Sequence, residues 1–271
     1  MAGRGDAYEK YLEAFEHWRG QGWRVTACDW RGQGGSGRLG LNNAGHIDDF
    51  SVWVGDLAQF WRGWAAEHVG PHVLVGHSMG GHLTLRAAVD QVLEPKPDAL
   101  VLSAPMLDVF PEYLPLFMKR WFARAMMKLG DPGRPAWGAK EKPVTLVKLR
   151  RDLLTHDERR YEDEQWWRAQ RPELVLGPGS WGWVNGAMDS IARINQRGAI
   201  EAVDLPVFML ATSADKLVSP AAIALATRRL PDVEALVLGE EARHEILREV
   251  DLVRDKALEA IDDFLKRRVP A

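Results

Sequence analysis

Val73-Leu74-Val75-Gly76-His77-Ser78-Met79-Gly80-Gly81 is the stretch that decides the fold of this chain. An apolar run ends in Gly-x-Ser-x-Gly, and Leu83, Leu85 and Ala88 follow it on what reads as a helix. The chemistry of a serine nucleophile explains that order. Its hydroxyl must project from a sharp turn between a strand and a helix. Glycines at 76 and 80 leave room for the chain to pass closely through such a turn. The Met79 N–H then opens a helix and aims where negative charge develops on a substrate carbonyl. Gly81 lets that helix sit close to its neighbours. A plain glycine-rich turn is the bland alternative, but it does not require a strand before it and a helix after it. No Gly-Lys-Ser/Thr follows, which argues against a phosphate-binding loop. Gly32-Gln33-Gly34-Gly35-Ser36-Gly37 has the letters of a dinucleotide fingerprint. Residues 38–45 continue it as glycine- and asparagine-rich loop, where that fingerprint needs a helix.

Outward from this motif, strands and helices alternate. Upstream, Ala7 to Trp18 has helical spacing and is stopped by Gly20 and Gly22. Trp23 to Cys28 reads as a short strand, and Asp49 to Glu67 as an amphipathic helix with Trp53, Leu57, Phe60, Trp61 and Trp64 on one face. Strands are expected at His72–Val75, Asp98–Leu102, Leu205–Ala211 and Val233–Leu238. Helices are expected at Leu83–Leu93, Pro220–Arg229 and Asp251–Leu265. The strands are apolar runs, which predicts an α/β fold with a mostly parallel sheet covered on both faces. The alternation fails from Pro105 to Arg197, a region too long for a loop. We read residues 1–104 and 198–271 as the core and 105–197 as a mainly helical insertion. Within it, Pro178-Gly179-Ser180-Trp181-Gly182-Trp183 reads as a turn with exposed aromatics.

Composition narrows the function classes. The 271 residues carry 35 Lys+Arg against 38 Asp+Glu, a net charge of −3, which gives no reason to expect a nucleic-acid partner. The single cysteine, Cys28, excludes an internal disulfide framework and a cysteine-rich zinc site, and its strand position reads as core. No apolar run approaches the roughly 18 residues of a membrane span, and the first ten residues lack the apolar core of a signal peptide. A cytoplasmic protein is expected. Twelve tryptophans imply either a large apolar pocket or a core built with big side chains.

A serine nucleophile needs a base, and the base needs an acid to orient it. Asp215 and His244 each follow the carboxyl end of an expected strand, where catalytic groups of open α/β sheets gather. The order Ser78, Asp215, His244 is the one this architecture uses. His244 would take the Ser78 proton and return it to the leaving oxygen, with Asp215 fixing the imidazole tautomer. Asp108, after the Asp98–Leu102 strand, is the rival acid. His17, His46, His68, His72, His77, His82 and His156 lie on helices, upstream of the serine or ahead of the acid. Glu240 and Glu241 read as solvated turn residues, with a supporting role for one of them as the alternative.

These motifs resemble the α/β-hydrolase superfamily, and within it the bacterial lysophospholipase and monoacylglycerol lipase-like group. Gly76 to Gly81 is similar to that group's nucleophile elbow. Asp29-Trp30-Arg31-Gly32-Gln33-Gly34-Gly35-Ser36 resembles its Asp-x-Arg-Gly-x-Gly-x-Ser loop. Ala242 to Leu247 resembles its histidine segment, Ala214-Asp215 its acid, and Pro172-Glu173-Leu174 with Gly182-Trp183 the insertion of its lysophospholipase branch. The resemblance implies a serine ester hydrolase that cleaves a lipid-like monoester through an acyl-enzyme, with no metal or organic cofactor. It also implies a cap, formed by the insertion, that makes transient contact with a membrane surface, so that the cytoplasmic protein would be peripheral to the membrane. Around Tyr113–Leu129 the cap would line a pocket or meet lipid, or its apolar residues would form only the cap's own core, and Lys119, Arg120, Arg124 and Lys128 would either contact an anionic head group or form a solvated face. A general carboxylesterase, and a weakened binding protein that keeps the elbow, are the alternatives. By carry-over the oxyanion hole would be the N–H groups of Met79 and Arg4. Gly3 to Tyr11 resembles the group's first loop and helix, and the strands that precede them in the group are expected to be missing from the sheet.

Overall fold

The computed structural model describes residues 1–40, 43–138 and 150–269. Four parallel strands, β1 (Val73–His77), β2 (Ala99–Ser103), β3 (Val207–Thr212) and β4 (Val233–Leu238), lie in the order β1-β2-β3-β4. Gly76 is level with Leu102, and Leu210 lies between Ser103 and Leu236. The helices are α1 (Leu12–Gly20), α2 (Phe50–Glu67), α3 (Met79–Val89), α4 (Leu116–Lys128), α5 (Glu158–Gln170), α6 (Trp181–Ile194), α7 (Pro220–Arg229) and α8 (Asp251–Arg268). Residues 150–154 are also helical.

The apolar strands follow from burial on both faces. Alternate residues of β2 and β3 feed two separate cores. Leu100, Leu102, Val207, Met209 and Ala211 pack with α2, α3, α6 and α7. Ala99, Val101, Phe208 and Leu210 pack with α1 and α8. Trp53 and Trp61 are fully buried and Trp18, Trp30 and Trp183 nearly so, which makes much of the tryptophan count core. β4 is different. It lies at the sheet edge, is largely half-buried or exposed, and carries Glu234, which pairs with Arg267 and Arg268 of α8. Charge on an edge strand discourages further pairing.

The strand expected at Trp23–Cys28 does not form. Residues 23–30 have no ladder partner among the described residues. They lie across a groove of about 970 Å³ from β1, walled by Phe15, Trp18, Val25, Cys28, Val73 and Val75. A strand is defined by its neighbour's hydrogen bonds, and at this separation β1 cannot supply them. Met1 instead borders β1, its amine donating to the Val75 carbonyl at 2.6 Å and its carbonyl accepting from His77 N–H at 3.0 Å. Cys28 is half-buried rather than core. The turn read at Pro178–Trp183 is the start of α6, where Ser180 Oγ accepts from Trp183 N–H at 3.0 Å. Trp183 is buried there and Trp181 half-buried.

Candidate active site

β1 delivers Ser78 into a turn that only a tight chain path allows. Ser78 has φ 53°, its N–H donates to Ser103 O at 2.9 Å, and its carbonyl accepts from His82 and Met106 N–H. A Cβ at Gly76 would stand 2.7 Å from Gly80 O and Gly81 Cα. One at Gly80 would stand 2.4 Å from the Met1 and Ala2 carbonyls. These glycines are therefore set by close backbone passage on both sides of the elbow. Met79 N–H opens α3 and donates to no acceptor among the described residues, as does Arg4 N–H.

Ser78 Oγ lies 2.9 Å from His244 Nε2, and His244 Nδ1 lies 2.7 Å from Asp215 Oδ2. The three residues that the sequence singles out thus meet, each beyond the carboxyl end of its own strand. Asp215 Oδ1 accepts from Leu217 and Val218 N–H at 2.8 and 3.1 Å, which fixes the carboxylate behind the ring. Burial pushes the Asp215 carboxyl up, but the imidazole and these N–H groups outweigh it and hold it below the usual range. Burial pushes His244 down, but Asp215, with Glu245 and Asp6 behind it, raises it above an ordinary histidine. His77 packs on His244 with ring centroids 4.8 Å apart. Burial, with the His244 charge, lowers His77 to about 4, so it is neutral at pH 7.

The rival acid goes elsewhere. Asp108 Oδ1 accepts from Lys119 Nζ at 2.9 Å and from Val109 N–H. The other histidines have partners of their own: His17 with Asp262, His46 with Ser180, His82 with Ser190, His156 with Glu249, and His68 and His72 with carbonyls four residues back. Of the four cations expected to meet either a head group or solvent, Lys128 is exposed and three are occupied. Lys119 is buried on Asp108, and Arg120 and Arg124 both bond Asp189 of α6. They tie α4 to α6.

A buried ionic cluster, which sequence reading missed, braces the site. Lys10 Nζ lies 2.7 Å from Asp6, 2.5 Å from Glu245 and 3.2 Å from Glu164 of α5. Arg248 bonds Glu245 at 2.7 Å. Asp6 also accepts from Gly3 N–H and Tyr11 O–H. Burial opposes the charge on Glu164, yet the surrounding Lys10, Arg150, Arg168 and Arg248 hold it down to about 2. Gln33 of the glycine-dense loop accepts from Gly5 N–H at 2.8 Å, and its Nε2 touches Met79 Sδ at 3.8 Å. That loop is folded on Asp29, which accepts from Gly35 and Tyr8 N–H, so it acts as a brace and not as a nucleotide site. The short-range pairs Asp6–Lys10, Glu164–Arg168 and Glu245–Arg248 are the local signals of it in the sequence.

Comparison with known proteins fits this geometry. The family model Hydrolase_4, described as serine aminopeptidase S33, matches residues 1–251. Lysophospholipase L2 of Escherichia coli strain K12 is 30% identical over 285 residues, covering 98% of this chain and 78% of that protein. A probable lysophospholipase L2 of Haemophilus influenzae is 26% identical, covering 97% and 81%. In fold, a soluble variant of monoglyceride lipase from Saccharomyces cerevisiae superposes with a TM-score of 0.78 at 19% identity, covering 100% of this chain and 86% of that one. The monoacylglycerol lipase of Paleococcus ferrophilus gives 0.73 at 23% identity, with 98% and 91% covered. The chain belongs to the Hydrolase_4 family of α/β hydrolases, among its lysophospholipase L2-like serine hydrolases.

Proposed function

We infer that this protein hydrolyses a carboxylic ester of a lipid-like monoester, a lysophospholipid or a monoacylglycerol, through an acyl-enzyme on Ser78. The observation that carries the reading is the unbroken chain from Ser78 Oγ through His244 to Asp215. His244 carries its proton on Nδ1, toward Asp215, so Nε2 accepts the hydroxyl proton as Oγ attacks the carbonyl. The oxyanion then meets the N–H groups of Met79 and Arg4, both without a protein acceptor. His244 returns the proton to the departing alkoxide, and the acyl group stays on Oγ. Water, deprotonated by the same Nε2, releases the acid.

The lipid part of the reading draws on the lysophospholipase relatives and on the cap, taken as residues 105–197. Phe117 and Trp121 lie one turn apart on α4 and are each 71% exposed, with Phe122 and Met118 beside them. Such a face is a ready contact for a lipid surface. No helix among the described residues is long and apolar enough to cross a membrane. The test is turnover of long-chain lysophospholipid and monoacylglycerol against short water-soluble esters. The reading predicts higher kcat/KM on the long-chain lipids; a preference for the short esters would make the protein a general carboxylesterase.

A further inference from the structure

We propose that the Arg4 guanidinium binds the phosphate of the substrate head group, so that the preferred substrate is a phosphate-bearing lysolipid and not a neutral monoacylglycerol. This rests on the reading of Ser78 as the nucleophile of a lipid-ester hydrolase.

Among the described residues Arg4 is a cation without a counter-ion. Its Nη2 donates to Gly177 O at 2.7 Å. Its Nε is buried with no hydrogen-bond partner. Nη1 donates to nothing among the described residues and is not sealed off as Nε is. Other arginines packed around the site are paired: Arg248 with Glu245, Arg150 with Glu164, Arg160 with Asp157 and Glu13. The guanidinium instead lies against the rings of Trp137 and Trp183, 5.2 Å from each centroid. Those faces attract the charge and fix its plane, but they leave unused the in-plane donors other than the one Nη2 directs at Gly177 O. Burial and the like charge of Arg150 press its pKa down to about 10, so it remains charged at neutral pH. A desolvated charge of this kind is costly until an anion arrives.

Its place fits a head group. Arg4 follows Gly3, where an added Cβ would stand 3.1 Å from Ser78 Cβ, so the residue borders the nucleophile. The backbone N–H faces the oxyanion while the side chain runs to the cap residues Trp137, Gly177 and Trp183. A planar fork of N–H groups matches two phosphate oxygens, which hydroxyls of a neutral glyceride cannot replace. Of the insertion's cations that would compete for the role, Lys119, Arg120 and Arg124 are spent on Asp108 and Asp189, and Lys128 is exposed at the end of α4.

The test uses the full chain and lipids of one acyl length: a 1-acyl-glycerophosphoglycerol, a 1-acyl-glycerophosphate and the 1-monoacylglycerol. The wild-type protein should favour both phosphate-bearing lipids at least ten-fold in kcat/KM. Arg4→Gln should cut the ratio of phosphate-bearing to neutral turnover at least ten-fold, mainly through KM, and Arg4→Lys should restore part of it. Equal turnover by the wild type overturns the proposal even if the variants do not fold. An equal loss on all three lipids for Arg4→Gln overturns it too, leaving Arg4 as a brace for the loop. Millimolar inorganic phosphate that binds the wild type and not Arg4→Gln, with the lipid ratio unchanged, marks a free-anion site and also overturns it. Absence of turnover on every lipid contradicts the underlying reading instead.

Discussion

Lys10 Nζ lies 2.5 Å from Glu245 Oε1, joining residues 235 positions apart beneath the catalytic histidine of the proposed triad. The pair is buried, and Asp6 and Glu164 share the same ammonium. Lys10→Met would take the ammonium from all three carboxylates, leaving Glu245 with Arg248 at 2.7 Å and Glu164 with Arg168 and Arg150 at 2.8 and 3.0 Å. Removing one partner of a buried ionic group costs about 3–5 kcal/mol. A urea unfolding curve should show that loss, and a change under about 1 kcal/mol would contradict the bracing role. The carboxylates of Asp6, Glu164 and Glu245 are all held below their ordinary values. Their contribution is therefore present above the ordinary carboxylate range and fades as pH falls through the depressed values.

His244 is raised above the ordinary 6.5, and it must be neutral to act as base. The rate should therefore rise with pH through a midpoint above 6.5. Asp215→Asn removes the carboxylate that favours the imidazolium, so the midpoint should move down, with the plateau rate lower by on the order of 10⁴-fold. For stability the sign is opposite: the charged pair contributes at pH below the unfolded histidine's value and is lost as pH rises through the folded one. A kcat/KM profile with its acid midpoint unmoved by Asp215→Asn would refute the pairing.

Gly76→Ala tests the elbow by packing alone. The new Cβ would stand 2.7 Å from Gly80 O and Gly81 Cα, backbone of the first turn of α3, where nothing flexible can yield. Overpacking of this sort costs about 1–3 kcal/mol or more. Gly55→Ala on α2, where a Cβ meets nothing within 4 Å, should gain up to about 1 kcal/mol of helix propensity. Thermal denaturation of the two variants should shift in opposite directions.

Phe117→Ser with Trp121→Ser removes the most exposed rings of α4. Sedimentation with phosphatidylcholine vesicles should fall several-fold relative to the parent protein. Undiminished sedimentation would assign any lipid contact to another face.

Most elements were legible because their signals are local. Asp49 caps α2 through Ser51 N–H, Ser219 caps α7 through Ala222 N–H, and β2 and β3 are apolar up to their last residues, Ser103 and Thr212, because both faces are covered. Ser78, Asp215 and His244 were legible because each closely follows a recognisable strand. Trp23–Cys28 misled because strand propensity says nothing about whether a partner lies within reach. The Lys10 cluster was hidden for a related reason: its members come from the first turn, the insertion and the histidine loop, and no sequence spacing shows that these three segments meet. Lys119 looked like a surface cation until Asp108, eleven residues earlier, was seen to hold it.

The central claim is that Ser78 is a nucleophile activated by His244. Incubation of the folded protein with a fluorophosphonate probe, followed by intact-mass and peptide analysis, tests it most directly. One adduct on the peptide containing Ser78, absent from Ser78→Ala and strongly slowed in His244→Ala, is the predicted result. A folded wild-type protein that stays unlabelled, or that is labelled equally after Ser78→Ala, would contradict it.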